Sequence, residues 1–104
     1  MSESTLDQIH HVAIQVQDIQ RAIEWYQSHF TLEVTWQDQT WALIQFSNVA
    51  LALVLPNQHP PHIAFSIDHA DQLGALTTHR DGTRSIYIYD SEGNVVECLD
   101  KKSV

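Results

Sequence analysis

The sequence states one phrase twice, at positions 11 and 62. His11-Val12-Ala13-Ile14-Gln15-Val16 returns as His62-Ile63-Ala64-Phe65-Ser66-Ile67. In each copy a histidine leads an alternation of small or polar residues against bulky apolar ones. Alternation of period two is the mark of a half-buried strand: His11, Ala13 and Gln15 share one face, and Val12, Ile14 and Val16 the other. The apolar face of each strand needs cover. Directly after each copy comes a stretch that can supply a helix, opened by Asp18 in the first case and by Asp68 or Asp71 in the second. Two copies at this spacing point to a paired module rather than a solenoid.

The first module reads βαβββ. Ile9 to Val16 is a strand, and the helix from Asp18 to about Phe30 carries an apolar stripe of Ile19, Ala22, Ile23, Tyr26 and Phe30. Three strands follow, Leu32 to Gln37, Trp41 to Phe46 and Val49 to Leu55, separated by Asp38-Gln39-Thr40 and Ser47-Asn48. Pro56, Pro60 and Pro61 stiffen a linker over residues 56–61. The second module restarts at His62 to Ile67, with a shorter helix to about Thr78. It closes with a hairpin, Ser85 to Tyr89 and Asn94 to Asp100, whose loop places Gly93 where positive φ is needed. Between helix and hairpin there is room for only a strand remnant, around residues 79–84. Residues 1–8 and 101–104 read as tails.

The expected fold class is therefore α+β. Two βαβββ-type modules, 9–55 and a shortened 62–100, form a cupped mixed sheet with helices on its outer face, in a single domain of residues 1–104. The strand faces opposite the helices line the cup.

Charge narrows what can bind there. Five Lys and Arg stand against thirteen Asp and Glu, a formal net charge of −8. The scattered cations leave no footprint for nucleic acid or an anionic membrane, and a small uncharged or metal-held molecule fits better than a polyanion. Cys98 is the only cysteine, so no internal disulfide forms. No apolar run reaches membrane-spanning length and no signal-peptide core opens the chain, so a soluble, cytoplasmic protein is expected. A chain of 104 residues buries only about two thirds of its unfolded surface, which favours oligomerisation.

Of seven histidines, two sit at equivalent places in the two modules. His11 and His62 should converge in the cup, joined by Glu97, which alternates with Val96 and Cys98 in the last strand. A carboxylate on a central strand is costly to bury unless it is paired or metal-bound. Singly, each histidine is an ordinary strand residue; together with Glu97 they form a two-histidine, one-carboxylate set with open coordination positions. His10, on the opposite face of its strand, and His29, His59 and His69 read as surface residues. Cys98 reads as a small core residue. Trp36 and Trp41 flank a turn, as pocket lining or as dimer contacts.

The paired modules, the His-x-Ala strand starts and the closing Asp90-Ser91-Glu92-Gly93-Asn94-Val95-Val96-Glu97 resemble the vicinal oxygen chelate superfamily of glyoxalases, bleomycin-resistance proteins and extradiol dioxygenases. The resemblance spans residues 9–100. It implies a cup that holds a divalent metal on His11, His62 and Glu97, with Fe(II) favoured and Mn, Ni, Co and Zn as the other candidates. It also implies a homodimer, with sites shared between subunits in many members. The fourth ligand position of glyoxalase I enzymes falls here on Ala52. Thr77-Thr78-His79, Ile86-Tyr87, Asp90, Gly93 and Glu97 resemble the extradiol signature, with Ser91 in place of its proline. That likeness gives His79 and Tyr87 catalytic roles beside the metal. Strand parity also turns Tyr87 and Tyr89 toward the cup, where a simple cross-strand aromatic pair is the other reading. The expected function is a metal-dependent enzyme acting on a small bidentate oxygen substrate. Its three-member ligand set leans toward dioxygenase chemistry; the alternatives are a glyoxalase I-like lyase or isomerase, and a non-catalytic drug-binding protein of the bleomycin-resistance type.

Overall fold

A computed structural model describes residues 6–104. Of the tail expected over residues 1–8, residues 1–5 lie outside the described residues, and Gln8 already belongs to the first strand. Eight strands form one sheet: β1 (Gln8–Gln15), β2 (Glu33–Gln37), β3 (Trp41–Gln45), β4 (Ala50–Val54), β5 (His62–Ile67), β6 (Thr77–Thr78), β7 (Arg84–Tyr89) and β8 (Val95–Asp100). Their order across the sheet is β2-β3-β4-β1-β5-β8-β7-β6. β1 runs parallel to β4 and β5 parallel to β8, while β1 and β5 join the two modules antiparallel. Each module thus contributes four strands, in mirrored order about the β1–β5 seam. Six of the eight strands are read from the sequence to within one residue of these ends; β5 is read without error, and β6 is displaced.

One helix, α1 (Ile19–His29), covers the outer face of the first module. Asp18 caps it, its carboxylate accepting the Arg21 N–H at 3.0 Å. Ile19 and Ile23 pack onto Ala42, Ile44 and Leu53, with Ile14, Val34 and Leu51 around them. Ile14 is one of the apolar positions that alternation assigned to the outer face.

The second helix does not form as expected. Where a helix to about Thr78 was anticipated, a single 3-10 turn, Ala70–Gln72, is present. Gly74 follows at φ +151°, a conformation that ends a helix and that only glycine adopts without strain. The strand remnant lies at Thr77–Thr78 rather than within 79–84, so the second module keeps the βαβββ order with two shrunken elements. Its outer face is consequently thinly covered: Phe65, Ile86, Ile88 and Val96 are only partly buried around Ile67, Ala70 and Cys98.

The sheet curls until its two ends meet. Arg80, in the β6–β7 turn, reaches Asp38 at 3.2 Å and donates to the Thr40 hydroxyl, both in the β2–β3 turn. In the β7–β8 loop Gly93 has φ +83°, as expected, and Asp90 accepts the N–H groups of Glu92 and Asn94. Among the described residues no helix is long and apolar enough to cross a membrane.

Candidate metal centre

Strand register decides which side chains meet at the floor of the cup. Ala13, two residues after His11, pairs with Ala52; Ala64, two residues after His62, pairs with Glu97. The two modules therefore present equivalent positions, and Ala52 stands where the second module has its carboxylate. His11, His62 and Glu97 come together, 8%, 6% and 3% exposed. Their potential ligand atoms all lie within 4.8 Å of one another. His62 Nε2 is 3.0 Å and His11 Nε2 3.2 Å from Glu97 Oε1.

These separations fit a divalent ion. Ligand bonds of about 2.0–2.2 Å place neighbouring donors of a tetrahedral or octahedral shell roughly 3–3.5 Å apart. The tautomers fit as well. His62 Nδ1 faces the Pro60 carbonyl at 2.7 Å and can only donate to it, which leaves the Nε2 lone pair for an ion. His11 Nδ1 is 2.8 Å from His10 Nδ1, so one proton is shared between them. When His11 carries it, its Nε2 is likewise free. The cluster is a buried set able to chelate a divalent metal ion.

Glu97 faces two ways. Its Oε2 accepts the Ser85 hydroxyl at 2.6 Å and lies 3.4 Å from His79 Nε2. The Ser85 proton is committed to the carboxylate, so His79 Nε2, 2.6 Å from Ser85 Oγ, is the donor in that pair. Burial would raise the Glu97 carboxyl, but the imidazoles of His11, His62 and His79 and the Ser85 hydroxyl around it outweigh burial and hold it well below the usual carboxylate range. The hydrogen bond to Glu97 raises His79 against the opposing effect of burial. Burial, then the Glu97 charge, pushes the Tyr87 phenol well above its ordinary value. Tyr87 therefore stays a donor, and it points its hydroxyl at His59 Nδ1, 3.1 Å away. Burial lowers His59, leaving that nitrogen neutral and able to accept.

A cleft open to solvent lies over this cluster. His79 and Tyr87 line it, while Tyr89, expected beside them, is 75% exposed beyond the rim. Trp41 lines the cleft, with Trp36 stacked on it at 5.8 Å and 27°. Cys98 is buried on the outer face, in the core.

Two histidines read as surface residues belong to the cleft. His10 reaches it because β1 shifts register between Ile9 and His11, which breaks the simple alternation. His59 reaches it from the proline-rich connector, held by Gln15 donating to its carbonyl and by stacking on Tyr87. Ser85, only 1% exposed, was not singled out in the sequence, although it shares a strand face with Tyr87. A hydroxyl two residues before a cup-facing tyrosine was the available signal.

The chain matches the family described as the Glyoxalase/Bleomycin resistance protein/Dioxygenase superfamily over residues 8–98, and it belongs to that superfamily. It is similar in structure to methylmalonyl-CoA epimerase from Mycobacterium tuberculosis, with 19% identity and a TM-score of 0.75, over 95% of this chain and 91% of that one. Streptomyces coelicolor methylmalonyl-CoA epimerase in complex with 2-nitronate-propionyl-CoA gives 18% identity and a TM-score of 0.69, over 91% and 94%. A hypothetical protein from Bacillus halodurans C-125 gives 13% and 0.71, over 89% and 93%. At these identities the likeness establishes the fold. No curated protein sequence matches the chain. Membership of the superfamily and the buried His/His/Glu cluster together support a metal-dependent enzyme.

Proposed function

We propose that the chain is a divalent-metal-dependent enzyme of the isomerase or lyase kind, which moves a proton at a carbon beside a carbonyl of a small, two-oxygen substrate. The observation that carries this reading is the double engagement of Glu97: one oxygen faces His11 and His62, the other faces Ser85 and His79. A chelating set and an acid–base group share one carboxylate.

His11, His62 and Glu97 would hold the ion, which supplies Lewis-acid polarisation of the substrate oxygens when bound. His79 takes the proton. Its Nε2–H is engaged by Ser85 and Glu97, so Nδ1 carries the lone pair, and the hydrogen bond to Glu97 makes the imidazole a stronger base. The α C–H bond breaks, the proton goes to His79 Nδ1, and the electron pair moves toward the carbonyl. Delivery of that proton from His79 to the neighbouring, former carbonyl carbon completes an isomerisation. Tyr87, kept protonated, can turn its hydrogen bond from His59 Nδ1 to a substrate oxygen. Among the described residues no carboxylate offers itself as base from the first module, which contributes His10, His11, Trp41, Leu43, Ala52 and Val54 to the cleft.

The three-member ligand set by itself leaned toward dioxygenase chemistry. The acid–base pair on Glu97 and the fold shared with methylmalonyl-CoA epimerases support the isomerase alternative better.

Two measurements test the reading. Metal content is determined for the wild type, His62→Ala and Glu97→Ala after exposure to Fe(II), Mn, Co, Ni or Zn; stoichiometric metal in the wild type and its loss in both variants is expected. The loaded enzyme is then incubated in D2O with methylmalonyl-CoA and with 2-hydroxy and 2-oxo acids, and deuterium entry at the α-carbon is followed by NMR. A folded protein that takes up none of these metals refutes the proposal. So does oxygen uptake with catechols in the absence of any α-exchange.

A further inference from the structure

The floor of the cup is nearly closed although the cleft above it opens to solvent: His11, His62 and Glu97 are all buried. An ion, and still more a molecule that must present two oxygens at once, reaches such a floor when the walls part by a local opening.

How each part of the cup is held decides where that happens. The two modules are joined at the bottom by the backbone ladder between β1 and β5. The proline-rich connector is pinned over the floor, with Gln15 donating to the His59 carbonyl, Tyr87 to His59 Nδ1, and His62 to the Pro60 carbonyl. At the mouth the situation differs. β2 and β6 are the opposite edges of the sheet, and among the described residues no ladder closes one onto the other. The β2–β3 and β6–β7 turns meet there through side chains, Arg80 standing 3.2 Å from Asp38 and donating to the Thr40 hydroxyl.

Both ends of this contact are tied to the cleft. Asp38 also accepts the Trp41 N–H at 3.1 Å and the Trp36 indole at 3.2 Å, and Trp41 lines the cleft. Arg80 follows His79, whose backbone N–H donates to the Thr83 carbonyl at 2.7 Å and whose imidazole meets Ser85 and Glu97. Moving the contact therefore moves both walls. It is also weak, because the Arg80 side chain is 55% exposed, and an exposed ion pair biases an equilibrium by no more than about fivefold. Salt screens such a pair.

We propose that Arg80 and Asp38 form a clasp across the mouth of the cup, and that its release admits ions and substrate to the buried cluster. The clasp is a property of the curled sheet; what passes through it rests on the metal-site reading above, and the experiment keeps the two apart.

The first readout needs no metal. In metal-free protein carrying Trp25→Phe, which removes the exposed tryptophan of α1, acrylamide quenching reports on Trp36 and Trp41. Quenching should rise with added NaCl; Arg80→Gln, checked for folding by circular dichroism, should raise it at low salt and abolish the salt response. The second readout is the rate of Co(II) uptake and of Co(II) release to excess EDTA, followed by absorption. Arg80→Gln should speed both by roughly 3- to 20-fold and leave the dissociation constant within about twofold, because a gate changes the two rates together whereas a ligand changes affinity. Arg80→Lys, which keeps the charge and loses the planar fork, should fall between. Gln15→Ala, which loosens the connector instead of the mouth, should change neither rate. Quenching indifferent to salt and to Arg80→Gln overturns the clasp, as do unchanged Co(II) rates in Arg80→Gln or faster rates in Gln15→Ala alone. Failure of the wild type to take up Co(II) overturns the metal-site reading, and the quenching result then decides the clasp by itself.

Discussion

Replacing His10 by alanine should weaken metal binding without unfolding the protein. The two Nδ1 atoms of His10 and His11 are 2.8 Å apart, so a single proton lies between them. For His11 to offer Nε2 to an ion, that proton must sit on its own Nδ1 and be accepted by His10. Burial, followed by the neighbouring His11, lowers the pKa of His10 and keeps it neutral and able to accept. Alanine removes the acceptor and leaves the His11 N–H unpaired in the metal-competent tautomer. A buried donor without a partner costs about 1–3 kcal/mol, which corresponds to a loss in metal affinity of roughly 5- to 150-fold. Outer partners of ligating histidines are generally worth about 10–100-fold in affinity. The assay is competition for Zn(II) or Co(II) against a chelator of known affinity, with His69→Ala, at an exposed site, as control. His10→Asn, whose side-chain carbonyl can accept the same proton, should recover part of the loss. A dissociation constant for His10→Ala within twofold of the wild type, in a folded protein, refutes the reasoning.

Three further expectations concern other parts of the molecule. His79→Gln should retain stoichiometric metal and lose about 100- to 10,000-fold in turnover; parallel loss of metal would make His79 a ligand instead of a base. Gly74→Ala should destabilise the fold by about 1–2 kcal/mol, because φ is +151° and the new Cβ would stand 2.7 Å from Ile86 Cδ1. Calorimetry should show Tm falling by roughly 5–10 °C, and an unchanged Tm would count against the strain. The Asp38 carboxyl is raised by burial but lowered further by hydrogen bonds from Thr40, Trp41 and Trp36, so its folded value lies below its unfolded one. Its ionisation therefore stabilises the fold above the unfolded value of about 4, and this contribution fades as pH falls through the lower folded value. The stability gap between wild type and Asp38→Asn, from urea denaturation, should close on acidification. A gap that widens there would contradict this linkage.

The strands and the meeting of His11, His62 and Glu97 were legible because both rest on local pattern. Alternation along His11–Val16 and His62–Ile67 states which side chains share a face, and the repeat states that the two faces are equivalent. Glu97 could be added by counting along one strand, and the sheet register then confirmed Ala52 as its counterpart.

Most of what the sequence did not disclose depends on contacts between distant segments, and one feature depends on a local backbone angle. Gly74 ends the second helix after one turn, through a backbone angle that no periodicity records. His10 enters the cleft through a register shift between two strands, a property of the pairing rather than of either strand. His59 is placed by Gln15 and Tyr87, and the mouth is fixed by Arg80 meeting Asp38, residues far apart in the chain. By itself, then, the sequence determined a two-module cupped sheet and its two-histidine, one-carboxylate floor, because alternation and repetition are short-range. Curling of the sheet, which is long-range, decided the rest: which imidazoles surround that floor and how the mouth is held.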